Sequence, residues 1–183
     1  MEDIFSRASL SYLTNRCDEG FELIYAFIAT SNDDRICLNG EEQQVFCLIS
    51  MNIIDKRYQS WIRLNRLLVQ TDSPKQRQLT QNYLQVILNE MNSYANKVHV
   101  LIEKSLLNDA ISIDDRISYL KIEGDVHFLI SQTSKSEEKL HQMYSSLAFY
   151  DHGLELCRQN AFDRKFLSIT YNKALVLKFI SLN

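Results

Sequence analysis

Apolar residues recur at three- and four-residue spacing along most of the chain. The breaks between these runs carry helix-capping residues rather than turn glycines. FSRASLSYLTN (Phe5 to Asn15) predicts a short first helix, and Asp18 predicts the cap of a second that runs through FELIYAFIAT to about Thr30. After the polar stretch SNDDRICLNG, Asn39 with Glu42 three residues later predicts a capping box and a long helix from Glu41 to about Val69. Ser73, Pro74 and Gln76 supply cap, first-turn proline and box partner for a fourth helix extending to about Leu107. Ser112 with Asp115 opens a fifth, ending near Ser131; Ser134 with Glu137 opens a sixth, to about Asn160; Asp163 caps the last, which runs to the chain end. The pattern predicts about seven antiparallel helices joined by short loops, an all-α single domain over residues 1–183. No interdomain linker, low-complexity tract or repeat of clear period interrupts it, although YSSLAFYDHGLELC (Tyr144 to Cys157) has a tetratricopeptide-like look.

Composition narrows the class. Hydrophobic residues make up 45% of the chain, enough for a real core, and only 4 Gly and 1 Pro leave little material for sheets and tight turns. A formal charge of -3 and a pI near 5.8 give no basic footprint for nucleic acid. No apolar run reaches the roughly 18 residues of a membrane helix, and MEDIFSR lacks the basic and apolar regions of a signal peptide. Cys17, Cys37, Cys47 and Cys157 form no CxxC pair and are expected to be thiols. A soluble cytoplasmic protein is expected.

Catalytic chemistry finds no support. His99, His127, His141 and His152 have no cysteine or second histidine at ligand spacing on one helix face, so no metal is expected; each reads as a surface or satisfied core side chain. GxSxG, GxGxxG and GxxxxGK[ST] are absent, and with them any sign of a nucleophile elbow or of a phosphate-binding cofactor. Asp33–Asp34 and Asp114–Asp115 read as a solvated turn and a helix start rather than an acid–base pair. The chain is expected not to be an enzyme and to need no cofactor.

A family resemblance covers essentially the whole chain. MNIIDKRYQSW resembles the third-helix signature of the 14-3-3 family, in which an asparagine lies nine residues before a tryptophan; Asn52 and Trp61 keep that spacing. SYLKIEGD (Ser118 to Asp125) is similar to the fifth-helix YLKxxGDxxRY motif, and LIEKSLL (Leu101 to Leu107) to the LLEKFLI ending of the fourth. LNGEE (Leu38 to Glu42) and Asn172 complete the set. The resemblance implies an antiparallel, tetratricopeptide-like superhelical array and a non-catalytic adaptor or scaffold. Its implied partners are client proteins carrying phosphoserine or phosphothreonine, and it implies a homodimer or a heterodimer with another family member. The family has nine helices; this chain matches through the seventh and is C-terminally incomplete relative to it.

The phosphate grip departs from the family. Its third-helix lysine and arginine fall at Met51 and Tyr58, and its Arg-Tyr pair at Phe128 and Leu129; Lys121 and Asn172 match a secondary basic contact and a peptide-backbone contact. Lys56 and Arg57 do not substitute, because Arg57 is turned about 100° from Tyr58 on a helix. Together with Arg63 and Arg66 they read as a solvated face, and Trp61 as core or dimer-proximal packing. Removing three cationic groups forfeits on the order of 4–9 kcal/mol, at least roughly a thousandfold in affinity. Phosphopeptide binding is therefore expected to be weak or altered. Two alternatives stay open: a scaffold for unphosphorylated or amphipathic segments, and a tetratricopeptide-like interaction module. For the dimer, the resemblance implies that Arg16 reaches Glu90 of a partner's fourth helix beside Tyr83, with the family's neighbouring lysine replaced by Val86.

Overall fold

The structure, a computed structural model, describes residues 2–31, 36, 38–103, 111–160 and 163–182. Among the described residues seven helices follow one another: α1 (Glu2–Leu13), α2 (Cys17–Thr30), α3 (Gly40–Gln70), α4 (Pro74–Leu101), α5 (Ile113–Thr133), α6 (Ser136–Asn160) and α7 (Asp163–Ser181). The all-α reading holds. The expected continuation of the fourth helix over 104–107 and the expected turn at Asp33–Asp34 lie outside the described residues.

Three helices, α3, α4 and α5, start where the capping residues put them. The Asn39 side chain accepts from the Glu41 and Glu42 N–H groups, and the Glu42 carboxylate accepts from the Asn39 N–H at 2.9 Å, a complete capping box. Ser73 caps α4, with Pro74 opening it, and Ser112 caps α5 through the Asp115 N–H. Two caps differ. Asp18 does not cap α2: the helix already starts at Cys17, and the Asp18 carboxylate instead pairs with Arg57 on α3 at 2.6 Å. Ser134 closes α5 rather than opening α6; its N–H and hydroxyl both donate to the Ile130 carbonyl, at 3.1 and 3.0 Å. The side chain of Asp163 lies outside the described residues.

Two apolar clusters share α5. The larger joins α1 to α5 around Phe21, Ile24, Phe46, Ile49, Ile53, Met91, Val98 and Tyr119. The smaller joins α5, α6 and α7 around Ile117, Met143, Tyr150, Leu154, Ile169 and Val176. Each fully buried aliphatic or aromatic side chain contributes roughly 1.5–3 kcal/mol relative to exposure. Because α5 packs on both clusters, it carries apolar residues on nearly every side and positions both walls of the groove described below.

At Gly124, α5 approaches α6 closely. A Cβ there would lie 2.6 Å from Tyr150 Cδ1 and 2.9 Å from Cζ, closer than side chains tolerate. Only the bare Cα lets the Tyr150 ring pack this close to α5. Beside it the buried Ser146 hydroxyl donates to the Gly124 carbonyl at 2.7 Å.

Candidate functional site

The third, fifth and seventh helices enclose a groove of about 720 Å³. Met51 and Leu48 from α3 and Phe128 and Leu129 from α5 give it an apolar wall. Met51 and Leu129 are half-buried against the larger core, while Phe128 packs on the smaller one and meets Phe179 edge-on at 5.6 Å. Tyr58 stands apart: it stacks on Trp61, with ring centroids 6.1 Å apart, and is not among the described lining residues. Of the six groove positions expected from sequence, Met51, Lys121, Phe128, Leu129 and Asn172 thus come together.

The polar groups on the groove floor are already bonded to one another. Asp125 accepts from Tyr150 Oη at 2.6 Å and from Asn172 Nδ2 at 2.7 Å on one oxygen, and pairs with Lys121 Nζ through the other. Burial, with the Asp125 carboxylate beside it, pushes the Tyr150 hydroxyl well above its ordinary range, so it stays a donor. A second cation, Lys165 on α7, was not singled out from sequence. It pairs with Asp114 Oδ1 at 2.7 Å and donates to the Asp114 carbonyl and Ser118 Oγ. Since Lys165 and Asp114 are 51 residues apart, no helical spacing could reveal the pair. The charged residues among the described lining are Asp55, Lys121, Asp125 and Lys165, two of each sign. Gln43, buried at 7% exposure, also lines the groove, and its Nε2 has no acceptor among the described residues. Cys47 sits in the same wall; burial pushes its thiol up to about 12 despite Lys165 and Lys121 nearby.

The solvated-face expectation holds for exposed Arg63 and Arg66 and fails for Arg57 and Lys56. Arg57 is turned away from the groove, as helix geometry requires, but its side chain is only 14% exposed. It pairs with Asp18 and with Glu90 Oε2 at 3.1 Å, and its guanidinium lies 4.6 Å from the centre of the Tyr94 ring. Lys56 donates to Asn15 in the α1–α2 turn and lies 3.6 Å from Cys17 Sγ. Trp61 is half-buried rather than core.

Of the positions expected in a dimer contact, Arg16 is exposed and bonded to Glu19 in the first turn of α2, and Glu90 is held by Arg57 of the same chain. Tyr83 is exposed on α4 in line with Leu79 and Val86, at i, i+4 and i+7 spacing. Cys17, Cys47 and Cys157 are free thiols, and Cys37 lies outside the described residues. Among the described residues no helix is long and apolar enough to cross a membrane.

With this geometry in place, comparison with known proteins is specific. A family model described as 14-3-3 protein matches residues 7–176. The chain is 22% identical over 158 residues to 14-3-3 protein beta/alpha of Mus musculus and to that of Gallus gallus, covering 86% of this chain and 63% of each relative. It is 21% identical over 122 residues to 14-3-3 protein homolog 2 of Schistosoma mansoni, covering 66% of this chain and 57% of that protein. The chain therefore spans less than two thirds of the length of the curated relatives it matches.

Proposed function

Because the chain belongs to the 14-3-3 family, we propose that it is a non-catalytic, cytoplasmic adaptor that holds client segments in the α3–α5–α7 groove without depending on a phosphate. One observation carries this reading: the described cations lining the groove, Lys121 and Lys165, are each committed to a carboxylate of α5, opposite a wall of Met51, Phe128 and Leu129. A phosphate dianion entering there would meet an apolar surface and a charge-balanced floor, so its desolvation would go uncompensated. The occupant that fits is an unphosphorylated, amphipathic client segment. Its apolar side chains pack on the Met51–Phe128–Leu129 wall, and Gln43 Nε2 supplies a donor for a backbone carbonyl. Dimerisation through α1 to α4 accompanies this reading, since it agrees with the exposed Leu79–Tyr83–Val86 line on α4.

The test is a titration of a labelled phosphoserine peptide and its unphosphorylated twin into the chain and into a variant carrying Met51→Lys, Tyr58→Arg, Phe128→Arg and Leu129→Tyr together. Met51, Phe128 and Leu129 line the groove and would act on one phosphate, and Tyr58 is changed with them because the family match puts the fourth group there, so the positions are changed as a set. The unmodified chain should bind the two peptides within about threefold of each other, and the variant should favour the phosphopeptide by at least roughly a hundredfold, two or more charge-assisted hydrogen bonds' worth. Tight, phosphate-dependent binding by the unmodified chain overturns the reading.

A further inference from the structure

On the side of α5 away from the groove lies a separate cavity of about 440 Å³, bounded by α4, α5 and α6. Lys121, Asp125 and Phe128 line the groove; Glu123, Val126, His127 and Ile130 line this cavity. Its deepest polar group is Glu123, 2% exposed. One carboxylate oxygen, Oε1, meets His99 Nδ1 at 3.2 Å. The other, Oε2, is buried and has no hydrogen-bond partner among the described residues.

The neighbouring histidine has a fixed tautomer. His127 Nδ1 lies 2.6 Å from Gln142 Oε1, and Gln142 Nε2 donates to Glu138 Oε1 at 2.6 Å. A carboxylate only accepts, so the Gln142 amide must turn its nitrogen to Glu138 and its oxygen to His127. His127 Nδ1 therefore carries the hydrogen, and Nε2 is left as an acceptor. Stacking on Phe149 at 5.3 Å holds the ring in place, and burial lowers its pKa, keeping it neutral near pH 7. His127 Nε2 and Glu123 Oε2 thus face each other as two acceptors 4.0 Å apart.

That arrangement selects its ligand. A nitrogen placed about 2.8 Å from each of two acceptors 4.0 Å apart subtends roughly 90° between them, within about 20° of the tetrahedral angle of an ammonium group and so inside the range in which both N–H bonds can donate. Among the described lining residues there is no lysine or arginine, while Glu138 places a second carboxylate at the exposed rim. The cavity is several times larger than one ammonium group requires, and its polar walls include Asn92, Asn96 and Ser134. His99, 45% exposed, forms the outer wall, so turning that ring opens the way to Glu123.

We propose that this cavity binds a small linear aliphatic polyamine, with one primary ammonium seated between Glu123 Oε2 and His127 Nε2 and a second held by Glu138 at the rim. Binding supplies the buried carboxylate with the donor it lacks and ties α5 to α6 from the face opposite the groove.

The probe is 1,5-diaminopentane, followed by the His127 ring resonances in NMR and by calorimetry on the whole chain. Pentylamine and tetramethylammonium serve as companion ligands. Saturable shifts of His127 are expected with the diamine and with pentylamine, and none with tetramethylammonium, which has no N–H to donate. Glu123→Gln should weaken both amines roughly ten- to a hundredfold, as expected for loss of a charge-assisted hydrogen bond. Glu138→Gln removes the rim carboxylate and also frees the Gln142 amide that orients His127, so it should weaken both amines, the diamine several-fold more than pentylamine. No His127 response at about 10 mM diamine, an equal response to tetramethylammonium, or undiminished binding in Glu123→Gln each overturns the proposal.

Discussion

Replacing Gly124 by alanine inserts one methyl where Tyr150 lies on α5, and the structure sets the cost. The new Cβ would stand 2.6 Å from Tyr150 Cδ1 and 2.9 Å from Cζ, so the ring must retreat by about 1 Å to reach ordinary carbon contact. Tyr150 is fully buried, and overpacking of that kind costs about 1–3 kcal/mol. The same retreat pulls Tyr150 Oη from Asp125, a 2.6 Å bond to a carboxylate worth roughly 1.5–3 kcal/mol. Alanine returns about 1 kcal/mol through its higher helix propensity. The expected net loss is about 1.5–5 kcal/mol, a large share of a typical domain's stability. Urea unfolding followed by circular dichroism measures it. In a Tyr150→Ala background the obstruction is gone, and the same glycine change should be neutral or stabilising by up to about 1 kcal/mol. A Gly124→Ala protein as stable as the parent, or one equally destabilised in both backgrounds, would refute the packing argument.

Three further outcomes are expected. Cys47 should resist iodoacetamide at pH 8 although it lines the groove: with its pKa near 12 the thiolate fraction is about 10⁻⁴, roughly a thousandfold below an ordinary thiol, and peptide mapping that found it among the first cysteines modified would contradict this. His127, lowered by burial from its ordinary 6.5, should titrate below that value by NMR. The unfolded chain then takes its proton first, so between the ordinary and the lowered pKa stability falls as pH falls; His127→Phe should remove that increment from the pH profile of urea midpoints, while Glu123, raised by burial, acts with opposite sign above its ordinary 4.5. Finally, sedimentation should find a dimer at micromolar protein, and Arg16→Ala should weaken it by less than about tenfold because exposed ion pairs contribute only about 0–1 kcal/mol; a monomer would sink the proposed assembly.

What the sequence disclosed was local. Asn39 with Glu42, Ser73 with Pro74, and Ser112 with Asp115 act within one helical turn, so reading along the chain finds the starts of α3, α4 and α5. Ser134 misled because a serine beside a helix boundary can satisfy either neighbour, and here Ile130 captured it. The groove was legible where motif spacing fixed positions, as at Met51 and Phe128. What stayed hidden was long-range: Arg57 with Asp18 and Glu90, Lys165 with Asp114, and His99 with Glu123 are each pairs between different helices. Neither hydrophobic periodicity nor capping chemistry encodes which faces meet, so Arg57 read as solvated and the histidines as isolated.

Asp125 gathers one donor from each of three helices: Lys121 from its own, Tyr150 from α6 and Asn172 from α7. The Asn172 amide nitrogen carries two hydrogens, and the bond to Asp125 leaves the second for the backbone carbonyl of a guest. In the proposed reading a guest held there adds a tie to the seventh helix, so by linkage occupancy of the groove and attachment of that helix strengthen each other by the same factor. Amide exchange along α7 should slow when the groove fills, making the last helix a gauge of what the groove holds.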